Sequence, residues 1–164
     1  MAVPWKPLMV MLVAVQAMAG CTVSRNTGEG AALIGTWSCS SVSHTVSTMR
    51  FSRASDGSIS MANRYTTEGG DAGEFDETYS YDPKGKIWTW STTDSITGSR
   101  EEGTAGPWTG RTWTFDGTRY MRSGSKQKMQ MVYTRLNDNA FRREFMISRR
   151  ETPIMTSSSL CKRI

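Results

Sequence analysis

One histidine, three cysteines and five prolines are all that this chain of 164 residues holds of those types. Each scarcity closes off some chemistry. With His44 as the sole imidazole, a zinc or haem-type site built on histidines has no ligand set. A Ser-His-Asp relay would have to run through that same residue. His44 lies in the run Ser40-Ser41-Val42-Ser43-His44-Thr45, where serine is abundant and a strand end or turn is expected, so it reads as a surface side chain. A phosphate-cradling glycine loop is absent, because the glycines stand in turn contexts. Carboxylates occur in near pairs at Asp76, Glu77, Glu101 and Glu102, as glycoside hydrolysis would need, but a sequence carries no separation between them. Binding or structural roles are favoured over an enzyme, with no metal and no cofactor expected.

Apolar runs are also short. The longest, Leu8-Met9-Val10-Met11-Leu12-Val13-Ala14-Val15, follows Lys6 and precedes small residues, which is the layout of a secretory signal peptide over residues 1–20. It falls well below the about 20 apolar residues that a membrane-spanning helix needs. Two processing routes compete. Ala17-Met18-Ala19 fits a general signal peptidase, whereas Met18-Ala19-Gly20-Cys21 resembles a bacterial lipobox with Met18 in place of the usual leucine. Lipidation of Cys21 leaves Cys39 and Cys161 as an even pair, while the other cut leaves an odd thiol in an oxidising space. Parity favours the lipoprotein. Thr22 rather than aspartate after the cysteine implies the outer membrane, with the periplasm as the alternative destination. Residues 21–32 are polar and glycine-containing without periodicity, and read as a flexible tether.

Charge is mild. Without Lys6 the balance is 19 basic against 15 acidic residues, a net +4. The densest basic group is Arg142, Arg143, Arg149 and Arg150, with no aromatic interleaving of the nucleic-acid-binding kind, so a solvated face is expected and nucleic acid is not.

What is present is alternation. Roughly 130 residues from Leu33 to Ile164 suffice for a single domain with its own core. Within them, strand-length segments are separated by turn signals: Val46 to Ser52 before Asp56-Gly57, Ile59 to Thr66 before Glu68-Gly69-Gly70-Asp71, and Phe75 to Tyr81 turned by Asp82-Pro83-Lys84-Gly85 into Ile87 to Thr92. Arg100 to Glu102 precedes the Gly106-Pro107-Trp108-Thr109-Gly110 corner. Thr112 to Phe115 runs up to Asp116-Gly117, with Thr118 to Arg122 beyond it. Lys128 to Leu136, Ala140 to Ser148 and Met155 to Arg163 complete the set, the first two joined by Asn137-Asp138-Asn139. About nine to ten such strands predict an all-β, antiparallel barrel or sandwich over residues 33–164. Leu33-Ile34-Gly35-Thr36-Trp37-Ser38-Cys39-Ser40 opens it, with Trp37 and Cys39 on one face, and Cys161 closes it. A barrel places its first and last strands side by side, so Cys39 and Cys161 either staple that closure as a disulfide or remain buried thiols. An exported compartment favours the disulfide.

Gly35-x-Trp37 resembles the opening motif of lipocalin-like barrels, in which the Trp closes one end. Trp108-x-Gly110-x-x-Trp113-x-Phe115 and the run Tyr133-Thr134-Arg135-Leu136-Asn137-Asp138-Asn139-Ala140-Phe141-Arg142-Arg143-Glu144-Phe145 resemble a bacterial family of uncharacterised lipocalin-like domains. The resemblance covers most of residues 33–164. It implies an up-and-down barrel and transfers no activity.

Two charges break the apolar faces. Phe141, Arg143, Phe145 and Ile147 share one face of their strand, as do Phe75, Glu77, Tyr79 and Tyr81 of theirs. On core faces, Arg143 and Glu77 point inward and each needs a partner, because an unpaired buried charge costs several kcal/mol. They pair with each other, or Arg143 clamps the acid group of an apolar ligand with Tyr79, Tyr133, Met129 and Glu77 around it. The sequence thus leads to an envelope protein whose barrel binds a small apolar or amphiphilic ligand. The alternative is a solid-packed barrel whose arginines, Arg142, Arg149 and Arg150, meet an acidic partner.

Overall fold

The computed structural model describes residues 30–94, 98–149 and 152–164. The expected signal peptide, the lipidation candidate Cys21, the tether up to residue 29, and Arg150 lie outside the described residues. A 3-10 turn, Ala31–Leu33, leads into ten strands: β1 Gly35–Ser41, β2 Val46–Arg53, β3 Ile59–Thr66, β4 Ala72–Asp82, β5 Ile87–Thr93, β6 Arg100–Ala105, β7 Thr112–Tyr120, β8 Lys126–Asn137, β9 Ala140–Arg149 and β10 Thr152–Arg163. Every strand pairs antiparallel with its sequence neighbours, and β1 pairs with β10, so the sheet is a closed up-and-down barrel. The all-β barrel expected from alternation is the fold found.

Alternation is the physical cause of these strands. In β3, Ile59, Met61 and Asn63 are buried while Ser60, Ala62 and Arg64 are exposed. In β4, Glu77 and Tyr79 are buried between exposed Asp76, Thr78 and Ser80. Turns follow side-chain chemistry: Asp56 Oδ1 accepts the Ser58 amide at 2.9 Å, and Asp82 Oδ1 accepts the Lys84 amide at 2.9 Å. Asn137 Oδ1 holds the Asn139 amide at 2.8 Å in the β8–β9 hairpin.

Asp116-Gly117 behaves differently from the other Asp-Gly pair. β7 runs straight through it, with Gly117 opposite Gly103 of β6. A Cβ at Gly117 would strike the Glu102 carbonyl, so this glycine serves a close approach of two strands rather than a turn.

One end of the barrel is sealed by aromatic rings. Trp37 Nε1 donates to the Leu33 carbonyl at 2.7 Å, which seats the 3-10 turn across the opening. The Arg163 guanidinium lies 4.2 Å over the Trp37 ring and donates to the carbonyls of Ile34 and Ala32. Gly35, at φ 133, is required beneath it, since a Cβ there would collide with the Arg163 guanidinium. Gly30 and Leu33 are buried as well, so residues 30–32, expected to belong to the tether, are part of this seal. Around them Trp88 and Trp113 meet edge-on at 5.3 Å, Trp108 stacks on Trp113 at 5.2 Å, and Phe141 meets Trp37 at 4.7 Å.

Cys39 and Cys161 sit directly opposite each other in the β1–β10 ladder and form a disulfide over a sequence separation of 122. Such a bond belongs to an oxidising compartment. Among the described residues, no helix is long and apolar enough to cross a membrane. Because the cross-link constrains nearly the whole folded chain in its unfolded state, Cys39→Ala/Cys161→Ala is expected to lose ~4–5 kcal/mol in a urea melt. An unchanged midpoint would show that the closure holds without it.

Candidate functional site

At mid-height of the barrel, Glu77 on β4 and Arg143 on β9 meet across the interior, their side chains 1% and 3% exposed. Arg143 Nη2 donates to Glu77 Oε1 and lies 3.3 Å from Met131 Sδ. Tyr79 donates its hydroxyl to the second carboxylate oxygen, Oε2, and the Tyr79 and Tyr133 hydroxyls are 2.6 Å apart. With the Tyr79 proton committed to Glu77, Tyr133 is the donor to Tyr79. The guanidinium also lies over the rings of Phe145, at 4.5 Å, and Tyr133, at 5.6 Å.

The electrostatics follow from burial. Burial first, then the Glu77 charge, pushes the Tyr79 phenol well above the ordinary tyrosine range. Tyr133 is raised for the same leading reason, burial. Both are therefore neutral donors. Burial works against the Arg143 charge, but the neighbouring Glu77 outweighs it and holds the guanidinium protonated. The result is a compensated ion pair whose removal by halves is far more costly than its removal entire.

Of the five residues expected in a ligand site, Glu77, Tyr79, Tyr133 and Arg143 come together in this network. Met129 does not join it. It is buried on β8 between Gly117 and Ile147 in register, and Met131, two positions along, supplies the sulfur beside Arg143. Of the four arginines expected to form one basic face, Arg142 is exposed and Arg143 buried, as the strand period requires of neighbours. His44 is exposed in the β1–β2 turn. Of the four paired carboxylates, Glu77 and Glu101 face inward while Asp76 faces outward. Glu102 is only partly buried and accepts the Tyr120 hydroxyl at 2.6 Å.

Above the network, away from the aromatic seal, the barrel opens. Two clefts share Phe75, Phe145 and Ser157 in their walls. The first, about 360 Å³, is acidic in character, with Glu77, Asp94 and Glu101 against Arg119. Arg119 Nε donates to Glu101 at 2.5 Å, yet burial still holds the Glu101 carboxyl above its ordinary range. The second, about 220 Å³, is lined by Arg143, Asn63 and a row of hydroxyls that includes Ser41, Ser47, Ser157 and Ser159. A bulge between Met155 and Ser157 in β10 sets the inward register of Ser157 and Ser159.

Ser47, Asn63, Ser157 and Ser159 are absent from the sequence-based site. Their signal was available in the alternation: Ser47 shares a face with Met49 and Phe51, and Asn63 with Ile59 and Met61. These two inward faces turn polar at the same end of the barrel, which is visible only once the strands are aligned.

No family model matches this chain, and no curated protein matches it. Among solved structures, one described as "Structure of EF1p2_mFAP2b bound to DFHBI" matches with 16% sequence identity and a TM-score of 0.41, covering 81% of this chain and 94% of that one. That likeness is too distant to bear on function.

The ion pair yields a direct test. Arg143→Met leaves Glu77 buried without its cation and is expected to cost ~3–5 kcal/mol in thermal or urea melts, with part of the loss restored by adding Glu77→Gln. Additive effects in this double-mutant cycle would mean the two side chains are energetically independent.

Proposed function

We propose that this chain is an exported, lipid-anchored barrel of the lipocalin-like kind and that it binds a small amphiphilic molecule at its open mouth. The observation that carries the binding reading is the pair of clefts that converge on Phe75 and Phe145 above the buried Arg143–Glu77 pair. Together they offer apolar rings for the body of a ligand and fixed polar groups for its head, which is the usual make-up of a small-molecule site. Tyr79 and Tyr133, fully buried beneath the pair, hold Glu77 and through it Arg143 in place. Buried tryptophans pack the lower half, so the mouth is where the ligand rests.

Arg143 already has its charge matched by Glu77, and the neighbouring cleft carries three carboxylates against Arg119. An anionic head group would meet a site with no cation to spare. A neutral amphiphile fits better than the fatty acid that an arginine clamp alone would select. Titration with the neutral dye Nile red is expected to show one saturable site that weakens about tenfold or more in Phe145→Ala, since one buried aromatic contact contributes ~1.5–3 kcal/mol. Unsaturable or absent binding would favour the second reading, a barrel packed solid by its tryptophans that acts only through its surface.

The disulfide and the short apolar leader support export, and Met18-Ala19-Gly20-Cys21 supports a lipid on Cys21. Cys21→Ser is expected to move the protein from the membrane to the soluble fraction of its host. Unaltered fractionation would exclude that anchor.

A further inference from the structure

We infer that the hydroxyl-lined cleft is a subsite for a neutral polyhydroxyl group, a sugar ring in chemical class, forming the head of the ligand; this rests on the mouth-binding reading above. Two buried side chains of its wall each carry a polar atom with no protein partner: Asn63 Oδ1, an acceptor, and Arg143 Nε, a donor. Their residues are each 3% exposed. Leaving either atom unmatched costs roughly 1–3 kcal/mol, so a bound group that serves both gains from each. A carboxylate can accept from Arg143 but offers nothing to Asn63, and an ammonium has the opposite defect. A hydroxyl donates and accepts at once, so a group that carries several offers both roles to the two residues.

The remaining wall points the same way. Ser41, Ser47, Ser157 and Ser159 add hydroxyls without adding charge, and the one buried charge, Arg143, is balanced by Glu77. Phe75 and Phe145 present rings against which the C–H face of a sugar packs. At about 220 Å³ the cleft takes a single ring, below the ~300 Å³ where pockets for drug-sized molecules begin. The tail of the molecule then lies along the Phe75 and Phe145 rings that the two clefts share.

Octyl β-glucoside, octanol and octanoate share one tail and differ in the head, so their binding to the full-length protein separates the alternatives. By isothermal titration below micellar concentrations, the glucoside is expected to bind at least tenfold tighter than either of the others, with amide shifts at Ser47, Asn63 and Ser159. Asn63→Leu, which breaks no hydrogen bond at Oδ1, is expected to reduce the glucoside to the affinity of octanol. Octanol or octanoate binding as tightly as the glucoside would overturn the sugar subsite while leaving an amphiphile site in the mouth. Binding by none of the three would overturn both. Should Asn63→Leu fail to fold, Ser47→Ala/Ser159→Ala is read in its place, and a folded variant with undiminished glucoside affinity would sink the inference.

Discussion

The barrel depends on β1 and β10 lying side by side, because only that pairing removes the two exposed edges a ten-stranded sheet would otherwise present. The closure is secured at two heights. The Cys39–Cys161 disulfide ties the ladder covalently, and toward the sealed end Arg163 of β10 covers Trp37 of β1 while bonding the carbonyls of Ala32 and Ile34. A cation on a ring, a glycine that makes room for it and an indole N–H that seats the entering turn are one unit. Each member is explained by the others, which is why Gly35 and Trp37 stand two residues apart in the sequence.

Closure creates an interior, and the interior must be filled. Tryptophan, tyrosine and phenylalanine fill it from the sealed end upward, with Trp88 against Trp113, and Trp113, Tyr79 and Phe115 in mutual contact. Toward the mouth the inward residues of β2, β3 and β10 become smaller and more polar, Ser47, Asn63, Ser157 and Ser159, and the filling there stops. Open space at the mouth thus arises where these three strands carry small inward side chains. A wider barrel is not needed.

The Arg143–Glu77 pair marks the boundary between those regions. Below it two neutral tyrosines hold the Glu77 carboxylate; above it Arg143 lines the hydroxyl-rich cleft. In a medium of low polarity such a pair contributes less to stability than to arrangement, since a hydrophobic replacement could fill the same volume. Its effect is to fix one guanidinium edge, with its charge already compensated, at the floor of a hydroxyl-lined space.

Much of this was legible in the residues themselves. Period-two alternation determined the strands and which side chains face inward, so Glu77, Tyr79, Tyr133 and Arg143 could be placed on interior faces, because a pleated strand leaves each side chain only two directions. The two cysteines at the ends of the folded part marked the closure. What alternation does not carry is position across the barrel. Strand stagger decides that Met131, not Met129, reaches Arg143, and that four serines and an asparagine from β1, β2, β3 and β10 line one cleft. It also decides that Asp116-Gly117 lies within a strand, since the need for glycine there comes from Glu102 on a neighbouring chain segment. Local pattern is set by bonds between adjacent residues, whereas the site is set by register between strands far apart in sequence, and register is a property of the closed barrel alone.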